Sequence, residues 1–159
     1  MKAFVICALL AVSGFGLYKL FQNPEKYLKK KTEYLIKLSS VKSSKVDMAL
    51  ISQVTKIAKF IHYDVQVKAE YEGQVYQARS LNEFRSHLMA YFRQSSTGSL
   101  EYENLTVQMK DHKKRGLVSF DAFFNRASQK VFCKIVLEWE KEKKWFVKRI
   151  EVHSCKPVN

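Results

Sequence analysis

Glycine is scarce in this chain, 5 among 159 residues, and none builds a glycine-rich loop that could cradle a phosphate. Histidine is as thin: His62, His87, His112 and His153 are dispersed, with no H-x-x-x-H or H-E-x-x-H spacing, so no metal site is expected. The 3 cysteines, Cys7, Cys133 and Cys155, include no C-x-x-C pair and no zinc spacing. No serine stands in a G-x-S-x-G, which removes the nucleophile elbow. Acids are few, 15 Asp+Glu against 28 Lys+Arg, for a formal charge of +13. With these signatures missing, no cofactor is expected.

What is present is enough apolar material for one packed domain. Apolar residues make up 47% and aromatics 13%, a composition that excludes disorder. The positive charge implies attraction to a polyanion, an anionic lipid surface or nucleic acid. Nucleic-acid binding would pair the charge with exposed stacking aromatics. The basic stretches at residues 112–115 and 141–149 read better as solvated turns, so nucleic acid is not the expected partner.

The single long hydrophobic run, residues 3–21, reads AFVICALLAVSGFGLYKLF. It reaches the length of a spanning helix if Lys19 snorkels to the interface. The competing reading is a cleaved signal peptide, with Lys2 as its basic region and Ala11-Val12-Ser13 as a small-x-small site. Either way the chain is directed to a membrane, as a single-pass protein where the run is retained. Lys19, Lys26, Lys29, Lys30 and Lys31 follow the run, which favours a cytoplasmic domain by the positive-inside rule. A signal peptide favours export, and the sidedness stays open.

Asn23-Pro24-Glu25 opens a helix with a cap, a first-turn proline and an acid at the positive dipole end. Tyr27, Leu28, Lys31, Tyr34, Leu35 and Leu38 follow at helical spacing. Lys26, Lys29, Lys30 and Lys31 are candidate contacts to anionic headgroups. A serine-rich loop leads to a second helix from Ser44 and Asp47, with Leu50, Val54, Ile57, Ala58 and Ile61 as its buried stripe. Residues 63–71 alternate, Glu72-Gly73 turns, and residues 74–78 return as a hairpin. Ser80 and Glu83 form a capping box for a third helix carrying Leu81, Phe84, Leu88, Tyr91 and Phe92. Four strands complete the order αα-ββ-α-ββββ, an α+β fold with helices on an antiparallel sheet, preceded by the transmembrane or signal helix. The expected division is 1–22 for the anchor, 23–45 for a basic amphipathic helix and loop, and 46–159 for the α+β domain.

In the last hairpin, a loop at Glu142-Lys143 puts Ile135 opposite Ile150, Trp139 opposite Phe146 and Cys133 opposite Val152. Cys155 then lies three residues farther on, at roughly 3.3 Å each, on the other face. A disulfide wants Cα atoms closer than about 7 Å, so this register predicts free thiols.

The element order, with QARSLNEFRSHLMAYF (77–92) and LEWEKEKKWFVKRIEV (137–152), resembles the nuclear transport factor 2-like (NTF2-like) superfamily, a cystatin-like α+β cone. The resemblance implies a strongly bent sheet wrapped around a helix, with a pocket between them. It also implies that the function is either an isomerase- or dehydratase-like enzyme or a non-catalytic scaffold, with a homodimer possible. Candidate pocket residues are Asp121, amid the apolar residues 117–124, and Asp64 with Tyr63 at the join of the second helix and first strand. Asp121 alternates with Ser119 and is expected on the wet face. The leading expectation is a membrane-anchored, non-enzymatic binding or scaffold domain; the alternative is a small enzyme using an acid in the cone.

Overall fold

The computed structural model describes residues 23–40, 47–71, 73–94, 100–126 and 129–158. The expected anchor at residues 3–21 lies outside these, as do Ser44 and Cys7. Among the described residues no helix is long and apolar enough to cross a membrane.

Helix α1 spans Pro24–Ser39 and α2 Asp47–Ala58. Strands β1 (Ile61–Tyr71) and β2 (Gln74–Ala78) form the first hairpin, and α3 covers Leu81–Gln94. Strands β3 (Leu100–Lys110), β4 (Arg115–Arg126), β5 (Gln129–Lys141) and β6 (Trp145–Val158) follow, with a 3-10 turn at Asp111–Lys113. The order expected from the sequence holds. Local chemistry explains the starts. Asn23 Oδ1 accepts from the Lys26 N–H at 3.2 Å to cap α1. At α3 the Glu83 N–H donates to Ser80 Oγ at 3.3 Å, while the Glu83 carboxylate reaches back to the Arg79 N–H at 2.7 Å.

The six strands form one sheet in the order β2-β1-β6-β5-β4-β3. It is mixed rather than antiparallel: β1 runs parallel to β6, with Ile61 beside Val147 and Val67 beside Ile150. Period-two pattern and turn residues fix only neighbours joined by a hairpin. The β1–β6 seam joins elements separated by α3 and four strands, so neither signal reaches it.

One core serves the whole unit. Leu28, Leu35 and Ile36 of α1 join Leu50, Val54 and Ile57 of α2 and the sheet's inner face, Val118, Phe120, Ala122, Ile135, Leu137, Trp139 and Val147. Helix α1 thus contributes Leu28, Leu35 and Ile36 to the same core as the sheet. Its buried side is Leu28, Thr32, Leu35 and Ile36, while Tyr34, expected inside, is largely exposed. Closest approach comes at Gly116 of β4, where a Cβ would collide with Leu28 Cδ1. The α2 stripe is as expected, although Ile61 fills it from the start of β1.

The last hairpin overturns the expectation of free thiols: Cys133 and Cys155 are joined by a disulfide, Cα atoms 4.2 Å apart. The loop is one residue longer than expected, since Lys141 pairs with Trp145. Two register shifts in β6 add one residue each, so Trp139 faces Val147, Ile135 faces Val152 and Phe132 faces Lys156. One loop residue and two bulge residues supply the missing three, and they bring Cys155 across from Cys133. The second bulge sits at Ser154, whose φ is +53°.

Candidate functional site

The inner face of the cone is apolar. Among the described residues only Thr32 and His62 are buried and polar or charged. Two concavities lie on the outer face of the sheet. One, of about 450 Å³, is lined by Phe123, Phe132, Lys156, Pro157 and Val158. The other, of about 290 Å³, lies between Arg115, Glu138, Arg149 and Glu151 on the outer sheet face.

A group of titratable side chains meets at the start of β1. His62 is 4% exposed, with Nδ1 against Asp64 Oδ1 and Nε2 2.9 Å from Glu142 Oε1 in the β5–β6 turn. Lys148 Nζ stands 3.3 Å from Asp64 Oδ1 and 3.9 Å from Glu140 Oε2. The His62 ring lies against Tyr63 at 4.2 Å and Phe146 at 5.7 Å between centroids. Each ring nitrogen has a carboxylate partner, and the Asp64 N–H also donates to Nδ1 at 3.4 Å. Desolvation acts on the Asp64 carboxyl to raise its pKa. The His62 and Lys148 hydrogen bonds and charges outweigh it and hold the pKa below the ordinary value.

Chemically this is a clasp. Both ring nitrogens of His62 face carboxylates and the ring is closed to solvent, so neither nitrogen is open to a substrate. It ties the first residues of β1 to the turn between β5 and β6, elements far apart in the chain. His62→Ala is expected to cost about 2–3 kcal/mol of unfolding stability, read by thermal denaturation at neutral pH. Asp64 gives the pH test. Its depressed pKa contributes stability above the ordinary value of 3.8, lost as the pH falls through the lower folded value. Asp64→Asn should therefore melt below the parent chain at neutral pH, and the gap should close on acidification below 3.8. A gap independent of pH would sink this assignment.

The other expected residues are scattered. Asp121 lies on the outer face with Ser119 and accepts a hydrogen bond from Asn104 Nδ2 at 2.8 Å, away from the cone interior. Tyr63 is 73% exposed. Lys26, Lys29 and Lys30 are exposed on α1, but Lys31 turns inward, its ammonium 5.5 Å over the Tyr27 ring and 5.0 Å over Phe60. His62 was missed as a site residue, although it stands two before Asp64 and period two places them on one side of a strand. Glu142 and Lys148 carried no such signal, because they reach His62 and Asp64 only through the β1–β6 pairing.

No family model matches the chain, and no curated protein matches it in sequence. Solved structures do match in shape. An NTF2-like protein of unknown function from Pseudomonas putida KT2440 superposes with a TM-score of 0.61 at 13% identity, covering 80% of this chain and 87% of that one. A ketosteroid isomerase-like protein from Parabacteroides distasonis has a TM-score of 0.58 at 11% identity, covering 86% and 92%. A scytalone dehydratase-like protein from Novosphingobium aromaticivorans has 0.53 at 11%, covering 69% and 77%. The chain has the NTF2-like fold. At such identities the likeness establishes the fold alone, since this fold carries enzymes and non-enzymes alike.

Proposed function

We propose that the chain is a membrane-anchored, non-catalytic binding or scaffold domain, its NTF2-like unit standing on the non-cytoplasmic side. The observation that carries the non-catalytic reading is the apolar inner face, where Val118, Phe120, Leu137 and Trp139 share one core with α1 and, among the described residues, no carboxylate is buried. The two acids available to an isomerase- or dehydratase-like mechanism stand elsewhere, Asp121 outside the sheet and Asp64 inside the clasp.

The apolar run at residues 3–21 supports the tether. The Cys133–Cys155 disulfide supports the side, because cytosolic thiols are held reduced whereas exported domains keep such bonds. It weighs more than the lysines after the run, which set a bias rather than a rule. A partner would meet the outer sheet face, where Arg115 and Arg149 flank Glu138 at 3.8 Å each and Lys130 pairs with Glu101 at 2.9 Å. Such a face suits a polar, reversible contact better than a wide apolar homodimer seam.

The full chain should float with phosphatidylcholine vesicles and stay with them in high salt. In intact cells its lysines should react with a membrane-impermeant amine reagent. Release by salt alone would remove the tether, and labelling only after lysis would reverse the side. A turnover abolished by Asp64→Asn or Asp121→Asn would overturn the non-catalytic reading.

A further inference from the structure

Three basic segments remote in sequence meet at one end of the sheet, the end where β4 and β6 begin. The turn after β3 and the turn after β5 are joined directly, with the Lys141 N–H donating to the Lys114 carbonyl at 2.8 Å. The first turns of α1 lie on the same end, since Leu28 packs onto Gly116 and Lys31 lies over Phe60, the residue before β1. Phe60 in turn accepts from the Val147 N–H at 2.8 Å. Lys26, Lys29 and Lys30 are exposed from the helix, Lys113 and Lys114 from one turn, and Lys141 and Lys143 from the other.

Acids are outnumbered here, with Glu25 of α1, Asp111 and Glu142 against seven lysines. Asp111 is engaged by Arg115 at 2.9 Å and Glu142 by His62 at 2.9 Å. None of the seven lysines has an ion pair among the described residues. The apolar run ends at Phe21 and α1 begins at Pro24, on this same end. Three extended residues span at most about 10 Å, close to the ~8 Å Debye length at physiological ionic strength. A run held in a bilayer therefore keeps the lysines within electrostatic range of its headgroups.

We propose that this end of the domain is a docking surface for anionic lipid. Lys113, Lys114, Lys141 and Lys143 extend the lysine face of α1 into one cationic platform that seats the cone end-on against the membrane. The proposal rests on the membrane-anchored reading and adds its orientation and lipid preference. Nucleic acid is the weaker occupant, because the platform continues directly into an apolar run, whereas Tyr63, exposed beside the clasp, is a single ring and not a row of stacking aromatics.

The test uses the full chain with vesicles of phosphatidylcholine alone and vesicles with about a third phosphatidylglycerol, probed by lysine acetylation and mass spectrometry. Lys113, Lys114, Lys141 and Lys143 should react at least about fivefold more slowly on the anionic vesicles, with protection lost in high salt. Lys130 and Lys156, toward the other end of the last hairpin, should be unaffected. Combined Lys113→Glu, Lys114→Glu, Lys141→Glu and Lys143→Glu, all at exposed positions, should abolish the lipid dependence of protection at Lys26, Lys29 and Lys30 while leaving the melting temperature near that of the parent. Equal rates on the two vesicle types would overturn the proposal, as would protection by a short DNA duplex but not by anionic vesicles. Failure to float on phosphatidylcholine, with the platform still protected on phosphatidylglycerol, would remove the tether and leave the docking surface standing.

Discussion

Trp139→Ala is expected to cost about 4 kcal/mol of unfolding stability, a fall in melting temperature of roughly 10 °C. Trp139 is fully buried on the inner face near the end of β5, paired with Gly116 of β4 and Val147 of β6. Leu28 packs onto Gly116, so the truncation would open a cavity beneath α1 as well as between strands. Trp139→Phe separates the ring from its N–H. The indole Nε1 is buried without a hydrogen-bond partner among the described residues, so removing it sacrifices no protein hydrogen bond. That variant should cost only about 1–2 kcal/mol, for the lost ring volume. Thr32, one turn beyond Leu28, is the other buried orphan, and Thr32→Val should be neutral or stabilising by up to about 1 kcal/mol. Thermal denaturation of the detergent-solubilised full chain, followed by far-UV circular dichroism, reads all three. A Phe variant as unstable as the Ala variant would show that the indole N–H holds a buried partner.

Much of this architecture is legible in the residues because it is local. The Asn23 cap, the Ser80 and Glu83 box, the stripe Leu50, Val54 and Ile57, and the alternation Val118, Phe120, Ala122 each lie within one element. Register is where local pattern stops. Bulges are commonly signalled by glycine, which tolerates positive φ. Besides Gly73, this chain, short of glycine, builds its left-handed positions among the described residues from Asn104, Asp111, His112, Lys113 and Ser154. The shift in β3 falls at Asn104 and the second shift in β6 at Ser154, so neither position stands out as a breaker in a strand. The clasp was half legible, His62 with Asp64, and its other half depends on a parallel seam that no hairpin announces. Asp121, suggestive as an acid in an apolar segment, was resolved by period two alone, which put it with Ser119 on the outer face.

Reduction of the Cys133–Cys155 disulfide should lower stability by about 3 kcal/mol, with the melting temperature falling by several degrees. The two cysteines are separated by 22 residues, and a loop of that size loses about this much denatured-state entropy when closed. Cys133→Ala with Cys155→Ala should reproduce the loss and make the melting temperature independent of reductant. Without reductant, an alkylating agent applied to the denatured chain should label Cys7 and leave Cys133 and Cys155 unmodified. The experiment also tests the register of the terminal hairpin. A simple two-residue turn with no bulges places Cys133 opposite Val152 and leaves Cys155 about 10 Å along the strand, out of bonding reach. Two newly alkylated thiols on reduction therefore report the longer turn and both β6 shifts together. Three alkylated thiols without reductant would return the hairpin to its simpler register, and would remove the argument that places the domain in an oxidising compartment.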